Sequence, residues 1–281
     1  MKPTEAIFNN LTQYIARHHN PVVACSFGKD SEVVLHLARQ VKKDIAVAFN
    51  NTLVEYPDTL AFKRKLTVEW GLNVTEIKPL NGWTFWKVIE RYGFPLGQRS
   101  GSTATGKCCY FLKKAPMKKA MREHGWDLVI DGMTIYESRQ RWMNLKEPYR
   151  YNQGWSCYKY SPIWDWTPTD VWDYIERYNL PYNPYYDKVL GHPGYTKRGY
   201  RSKGYYRCLR VGCWACTIGI KYDSLRLTHL RKFYPKLHKL LLQKGLGEFL
   251  LDKGKNVEIY RNLDIDWMIE NRPCYFDGVM V

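Results

Sequence analysis

The sequence predicts a doubly wound α/β fold with a cysteine-containing helical extension at its C-terminal end. Three observations carry this. Four short apolar runs alternate with segments of helical spacing as far as residue 130. The first run leads directly into a polar, glycine-containing turn and a helix, and ligands of such sheets bind beyond the C-terminal ends of the strands. After residue 150 the alternation stops, and a Gly/Tyr/Arg-rich stretch leads to a Cys-x-x-Cys pair and a last helical segment.

Residues 4–18 have the spacing of an amphipathic helix, with Thr4 placed as N-cap and Glu5 in the first turn. Pro21 to Cys25 is an apolar run suited to a buried parallel strand. Ser26-Phe-Gly-Lys-Asp-Ser31 follows, and Glu32 to Lys43 is helical, with Val33, Val34, Leu37, Ala38 and Val41 on one face. Ile45 to Phe49 is the second strand. Residues 57–70 form a helix that Pro57 opens, because proline fits the first turn. Val74 to Ile77 is the third strand, Ala115 to His124 a helix and Leu128 to Ile130 the fourth strand. Tyr160-Ser-Pro-Ile-Trp164 is expected as an edge strand. Thr167 to Tyr178 is a helix whose start, Thr167 with Asp170, has capping-box spacing. Residues 183–207 read as a long aperiodic loop, and residues 223–252 return to helical spacing. Two units are expected: 1–182, the nucleotide-binding α/β domain, and 183–281, the basic loop, the Cys-x-x-Cys segment and the helical end.

The 281 residues include 43 Lys and Arg against 27 Asp and Glu, a net charge of +16. A content of 45% hydrophobic and 25% charged residues is that of a globular chain, which argues against long disorder and fibrous classes. No run of about 18 apolar residues is present, so no membrane span is expected. The first residues lack the apolar core of a signal peptide, and a cytoplasmic location is expected. Thiols there stay reduced, so 8 cysteines ask for metal or catalytic chemistry before disulfides. The charge is concentrated. Phe94 to Arg122 holds seven basic residues and no acid, and Tyr195 to Val211 holds six and no acid. Cys108, Cys109 and Cys208 lie inside these tracts, and Cys213 and Cys216 just after the second. Such tracts are either solvated faces or a surface for a polyanion.

Ser26-Phe-Gly-Lys-Asp-Ser31 joins strand to helix. Gly28 permits the tight turn, and the unpaired N–H groups of a helix start point at whatever binds there. This is an anion site, to which Lys29 adds a full charge. The hydroxyls of Ser26 and Ser31 can donate to phosphate oxygens, and Asp30 can cap the helix or hold Mg²⁺.

On these residues the chain resembles the PP-loop ATP pyrophosphatases of the PAPS/APS (sulfonucleotide) reductase superfamily, whose loop is typically Ser-Gly-Gly-Lys-Asp-Ser. Phe27 stands where that loop has its first glycine. Asn51-Thr-Leu-Val-Glu-Tyr-Pro-Asp-Thr59 is similar to the reductase Asp-Thr-Gly-x-x-Phe-Pro-Glu-Thr, with Asn51 and Leu53 as departures. Gly132-Met-Thr-Ile-Tyr-Glu-Ser-Arg139 is similar to the family's Gly-x-Arg-x-x-Glu-Ser. Trp166 to Trp172 and Leu180 to Tyr185 match further segments, so the resemblance runs from about residue 20 to 220. It implies a Rossmann-like adenine-nucleotide α-hydrolase fold. It implies ATP with Mg²⁺, or an adenylyl sulfate, held by Ser26, Phe27, Gly28, Lys29, Asp30, Ser31, Asn51, Thr52, Gly132 and Glu137. Lys29, Asp30, Ser31 and Arg139 are the catalytic candidates, with Arg141 beside Arg139 to steady phosphates.

The same resemblance implies a [4Fe–4S] cluster on the pairs Cys108-Cys109 and Cys213-Trp-Ala-Cys216, since four thiolates ligate such a cluster. Cys208 is a fifth candidate, because the ATP pyrophosphatases of DNA phosphorothioation (the Dnd/Ssp systems) also carry a cysteine upstream of Cys-x-x-Cys. Four of the five are expected as ligands, with zinc as the lesser alternative. Cys25 reads as core. Cys157 stays open between core and sulfur acceptor. Cys274, in Arg272-Pro-Cys-Tyr-Phe-Asp277, lacks the Glu, Gly and His of the reductases' Glu-Cys-Gly-x-His and is not expected to be their nucleophile.

Tyr195 to Arg207 alternates aromatic and basic residues with glycine between them. Cations pair with phosphates and rings stack on unpaired bases, although a mobile lid over the nucleotide site has the same composition. These features together make the leading expectation an enzyme that converts ATP to AMP and pyrophosphate, adenylates an acceptor and supports sulfur insertion into nucleic acid, as in DNA phosphorothioation. Its expected partners are nucleic acid, DNA before RNA, a cysteine desulfurase or other persulfide donor, sister modification proteins and a second copy of the chain. The alternative expectation is a PAPS/APS reductase that makes sulfite with thioredoxin. A catalytically silent nucleic-acid-binding module is a third.

Overall fold

The computed structural model describes residues 4–95, 104–202, 204–218 and 225–246. The chain forms α1 (Glu5–Arg17), β1 (Pro21–Ala24), α2 (Lys29–Val41), β2 (Ala46–Asn50), α3 (Pro57–Glu69), β3 (Val74–Ile77) and α4 (Phe85–Tyr92). It continues with α5 (Ala104–Cys109), α6 (Ala115–His124), β4 (Leu128–Asp131), α7 (Arg139–Asn144), β5 (Tyr149–Asn152), β6 (Cys157–Tyr160) and α8 (Pro168–Arg177). A hairpin, β7 (Tyr200–Ser202) and β8 (Tyr205–Arg207), precedes α9 (Leu225–Phe233) and α10 (Pro235–Gln243).

The six-stranded sheet has the order β3-β2-β1-β4-β6-β5. All neighbours are parallel except β5, which runs antiparallel along the β6 edge. Successive side chains of a strand face opposite sides, and the core follows that rule. Val23, Val47 and Ile130 enter the larger apolar cluster, with residues of α1, α2, α3 and α8. Their chain neighbours Val22, Ala48 and Val129 enter a smaller cluster with Met117, Ala120 and Met121 of α6. Both faces are therefore covered, which is why the parallel strands are apolar runs rather than alternating ones. β1 is flanked by β2 on one side and β4 on the other, so the chain reverses direction across the sheet between β1 and β4. That switch point opens a crevice beyond the strand ends. The larger cluster also includes Tyr185, Trp214, Leu225 and Leu230, so one core runs through both of the expected units.

Four sequence expectations change. The 160–164 edge strand is replaced by β6, which ends at Tyr160, with β5 as the edge. Pro162 cannot donate to a ladder, and the chain turns there, Trp164 N–H donating to the Ser161 carbonyl at 3.1 Å. The helix at 115–124 continues an earlier one. α5 passes through a π-helical segment, Tyr110–Lys114, into α6. Ala115 N–H reaches back to the Tyr110 carbonyl, a wide turn placed just before Pro116, where a regular helix would clash. The 183–207 stretch is packed rather than loose: Tyr185, Tyr186 and Tyr195 are buried and its end is the β7–β8 hairpin. Thr4 accepts the Phe8 N–H with its carbonyl, while its side chain makes no cap. The Thr167–Asp170 capping box is present on both sides, at 3.2 and 2.8 Å. Among the described residues no helix is long and apolar enough to cross a membrane.

Candidate functional site

The loop after β1 is held in shape by its own side chains. Phe27 has φ +56°, a left-handed conformation that costs a non-glycine residue about 1–2 kcal/mol. The cost is offset locally. The Phe27 ring is fully buried against Phe49, 5.4 Å between centroids, and its carbonyl accepts from Asn183 Nδ2 at 3.1 Å. Ser31 Oγ accepts from the Ser26 N–H at 3.2 Å and donates to the Gly28 carbonyl at 2.9 Å, so it braces the loop. Gly28 occupies the N-cap of α2 and offers no side-chain acceptor to the helix start. The Lys29 N–H is taken by the Tyr186 hydroxyl at 3.1 Å. The Lys29 ammonium is buried and paired with Asp30 at 2.6 Å.

This loop is the floor of a cavity of about 260 Å³ at the switch point. Ser26 and Gly28 of the loop and Lys29, Asp30 and Ser31 of the first turn of α2 line it, with Asp131 at the end of β4 and Gly132, Thr134 and Glu137 after it. Arg141 of α7 and the segment Tyr206, Cys208 and Arg210 after β8 close it. Gly132 is there because of close approach: a Cβ on it would stand 2.7 Å from the Asp30 carbonyl carbon and 2.8 Å from Ser31 N. Asp131, which the sequence reading passed over, is buried with Ser161 donating at 2.6 Å and Lys159 at 2.9 Å. Burial opposes its ionisation, but Lys159 and Ser161 outweigh it and hold the carboxyl below the usual range. The apolar-run signal for β4 ended one residue before Asp131; its partner Lys159 comes from β6, which the run signal missed, and Ser161 from the turn just after β6.

Several predicted site residues sit elsewhere. The Phe27 ring belongs to the core, and Phe27 is not among the described residues lining the cavity. Arg139 is exposed and outside that lining, whereas Arg141, two positions on, lines it and pairs with Glu137. Arg210 donates to the Glu137 carbonyl at 2.6 Å. Burial first, and then the neighbouring Arg210 charge, lower the Arg141 pKa from its ordinary value. Asn51 bonds Glu76 at 2.9 Å, and its Oδ1 accepts from Leu53 N–H. Thr52 is buried and donates to Glu55 at 2.6 Å, with Cys213 Sγ at 3.2 Å. The 51–55 segment turns away through Leu53, φ +66°, and docks on the Cys-x-x-Cys turn, where Trp214 N–H donates to the Val54 carbonyl at 2.9 Å.

Of the five candidate ligands, four converge. Burial, then the charges of Cys109, Cys213 and Cys216, push the Cys108 thiol up. Burial raises Cys109 as well, with Lys113 and Lys114 opposing. Lys113, one turn after Cys109, has its pKa raised above the ordinary value, chiefly by Cys213. Arg226 of α9 clamps the turn: its guanidinium donates to the carbonyls of Cys216 at 2.9 Å and Cys213 at 2.8 Å. Cys208 lines the cavity at the switch point instead. Among the described residues no three His, Cys, Asp or Glu side chains are disposed to hold one metal ion. Four thiolates are a donor set for a [4Fe–4S] cluster and for a structural zinc ion alike. Cys25 and Cys157 are buried, their thiols pushed up by burial to about 12 and about 11, and both pack as core. Cys274 lies outside the described residues.

The basic tracts are partly spent inside the fold. Lys197 pairs with Asp187 at 2.5 Å and donates to Tyr182 at 2.7 Å. Arg198 bridges Asp173 at 2.7 Å and Glu176 at 2.9 Å. Arg201 lies 5.9 Å over the Tyr136 ring.

Residues 20–218 match the phosphoadenosine phosphosulfate reductase domain family. The chain is 29% identical over 210 residues to adenosine 5'-phosphosulfate reductase of Bacillus cytotoxicus, covering 73% of this chain and 76% of that one. It is 32% identical over 171 residues to phosphoadenosine 5'-phosphosulfate reductase of Xanthomonas axonopodis pv. citri, covering 60% and 67%. An uncharacterized protein of Methanocaldococcus jannaschii is 30% identical over 227 residues, and the chain spans 47% of its length. The crystal structure of phosphoadenylyl-sulfate reductase from Candida auris in a phosphate complex has the same fold, with TM-score 0.53 and 18% identity, over 78% of this chain and 99% of that one. The architecture is thus the Rossmann-like PP-loop type.

Proposed function

The chain belongs to the phosphoadenosine phosphosulfate reductase family, and from that premise we propose that its cavity takes an adenosine phosphosulfate, whose sulfate is reduced to sulfite by a thiol reductant such as thioredoxin. The observation that carries this reading is the convergence of the α2 N-terminus, Lys29, Arg141 and Arg210 on one small cavity at the switch point. Lys29 and Arg141, paired with Asp30 and Glu137 in the free protein, can turn with Arg210 and the helix N-terminus to a ligand with adjacent phosphate and sulfate groups. When the bond between sulfate and the α-phosphate oxygen breaks, the departing adenylate gains charge. Fixed positive groups there lower the barrier by stabilising that charge. Ser31 and Gly132 hold the loop in position, which is the part of catalysis that orientation supplies. A volume of about 260 Å³ suits a small ligand.

Cys108, Cys109, Cys213 and Cys216 would hold a [4Fe–4S] cluster, which supplies an iron–sulfur centre when bound. Lys113 keeps its ammonium among these thiols and offsets their charge. A second reading, sulfur insertion into nucleic acid with ATP and Mg²⁺ and a persulfide-donating partner, is favoured by one specific feature. The Arg272-Pro-Cys-Tyr-Phe-Asp277 segment lacks the reductases' Glu-Cys-Gly-x-His.

The deciding experiment incubates anaerobically purified protein with adenosine 5'-phosphosulfate, its 3'-phosphorylated form and ATP in parallel, and measures sulfite and pyrophosphate. Sulfite from a sulfonucleotide, dependent on a dithiol, is the expected result. Lys29→Ala should lower kcat/KM by roughly tenfold to a hundredfold, the value of one charge-assisted hydrogen bond. Pyrophosphate from ATP in the presence of DNA, with no sulfite from either sulfonucleotide, would transfer the reading to its rival.

A further inference from the structure

One distant turn grips the loop on both sides of Gly28. It is the 3₁₀ turn Pro184–Asp187, which Asn183 caps by accepting from Tyr185 N–H at 3.0 Å. Asn183 Nδ2 donates to the Phe27 carbonyl at 3.1 Å and to Thr59 Oγ1 at 3.0 Å. From the same turn the Tyr186 hydroxyl accepts the Lys29 N–H at 3.1 Å. Asn183 thus fixes the residue before Gly28, and Tyr186 the residue after it. The two differ in reach. Asn183 is fully buried and spends both ends of its amide inside the fold. Tyr186 is buried too, but it lines the cavity, and its hydroxyl oxygen stands 3.2 Å from where a Cβ on Gly28 would be. The ring is held in place. Tyr186 N–H donates to the Asn183 carbonyl at 3.1 Å, and the ring meets Trp172 nearly at right angles, 5.3 Å between centroids. Trp172 is itself pinned, its Nε1 donating to the Lys197 carbonyl at 2.7 Å.

A phenol has one proton to give and an oxygen that accepts. Here the oxygen takes the Lys29 N–H, so the proton is directed away from that amide. Burial first, and then the neighbouring Asp30 charge, push the phenol well above its ordinary value, so the proton is kept at any neutral pH. Lys29 and Arg141 must each leave a carboxylate before they turn to a ligand, whereas the phenol has no carboxylate partner among the described residues. An amide that donates to a hydroxyl also strengthens the hydrogen bond that the hydroxyl gives onward. We propose that Tyr186 is a ligand-contacting residue that relays the first N–H of α2 to an anionic oxygen of the bound ligand. The inference rests on the reading of the cavity as a site for an adenosine phosphate or phosphosulfate. It adds the group by which such a ligand is told from the uncharged nucleoside.

The test measures AMP, adenosine and inorganic phosphate binding by calorimetric titration of the anaerobically purified full chain. Three forms are compared: the unaltered protein, Tyr186→Phe, and a chain with 3-fluorotyrosine in place of Tyr186. Tyr186→Phe should weaken AMP and phosphate binding roughly tenfold and leave adenosine within about twofold. Fluorine beside the hydroxyl acidifies it, which makes the phenol a stronger donor and a weaker acceptor. A hydroxyl that gives its proton to the ligand should then bind AMP about twofold more tightly. A hydroxyl that only holds the Lys29 N–H should bind it less tightly, so the sign separates a ligand contact from a brace of the loop. Weaker AMP binding by the fluorinated chain would overturn the assignment. So would unchanged AMP affinity in Tyr186→Phe, or equal losses for AMP and adenosine. In each of these cases, AMP binding by the unaltered protein leaves the reading of the cavity standing. An unaltered protein that binds neither AMP nor phosphate would remove that reading, and the assignment with it.

Discussion

Cys208 and Cys213 lie five residues apart, yet they serve different regions of the molecule. Cys208 closes a cavity whose floor is one contiguous stretch, Ser26 to Ser31, laid between a strand and the helix it feeds. Cys213 belongs to a group assembled from afar: Thr52 and Glu55 after β2, Cys108, Cys109 and Lys113 around the π-helical turn, and Arg226 from α9. The floor of the candidate anion site is a local product of strand, turn and helix start, with Asn183 and Tyr186 bracing it from afar. The thiol site exists only if several distant segments dock. Damage to the two should therefore look different.

Arg226→Ala should have the largest effect. It leaves two carbonyls of the Cys213–Cys216 turn without their donor, a loss of roughly 2 to 4 kcal/mol that urea unfolding would register. Iron content should fall with it while AMP binding in the folded fraction survives. An unchanged iron content would break the comparison. Acidification comes next, through His229 on the same helix. Burial, together with the Arg226, Lys188 and Lys232 charges and against the hydrogen bond that His229 Nε2 donates to the Lys188 carbonyl, pushes His229 down to about 4 from its ordinary 6.5. Between those values the unfolded chain binds a proton that the folded chain does not. Stability is full above about pH 6.5 and is lost as the pH falls toward 4, by roughly 3 kcal/mol at most. His229→Gln should flatten that part of the stability–pH curve, and an unaltered slope would exclude His229 as its source.

Gly132→Ala strikes the other region. Its methyl would meet the Asp30 and Ser31 backbone under 3 Å, which cannot swing aside as a side chain could. A cost of about 1 to 3 kcal/mol is expected, with AMP affinity reduced and iron per chain unchanged. Calorimetric titration with AMP and iron analysis on one preparation would check both halves. The smallest effect is expected from Arg198→Ala. The half-exposed pairs with Asp173 and Glu176 are worth under about 1 kcal/mol, and neither site should respond. A loss of sulfonucleotide turnover in this variant would instead show that the basic loop takes part in binding.

β1, β2 and β4 were legible because each is an apolar run covered on both faces, and the edge strand Val74 to Ile77 matched to the residue although only Ile77 of it is buried. β5 and β6 were not, because Tyr149 to Asn152, the sheet edge, and Cys157 to Tyr160 beside it mix polar and aromatic residues. α5 escaped notice because Pro116 resembles a helix start, whereas the π turn before it lets the helix run on. In the site, the loop was legible from its strand-to-helix context, and Gly132 from the resemblance of the segment Gly132 to Arg139 to the family's motif. Arg141 and Arg139 were not distinguishable, since a helix turn decides which of them faces the cavity.

By itself the sequence determined the candidate anion loop, because a helix that starts directly after a strand and a glycine turn presents its first N–H groups beyond the strand end. It also determined the covered parallel sheet, through the placement of apolar residues. Tertiary structure alone decided which cysteine serves which region. Cys208 and Cys213 carry the same thiol in neighbouring sequence. Their difference comes from the docking of Val54 and Glu55 on one side of a short turn and of Glu137 on the other. Those contacts join residues far apart in the chain, and no local pattern encodes them.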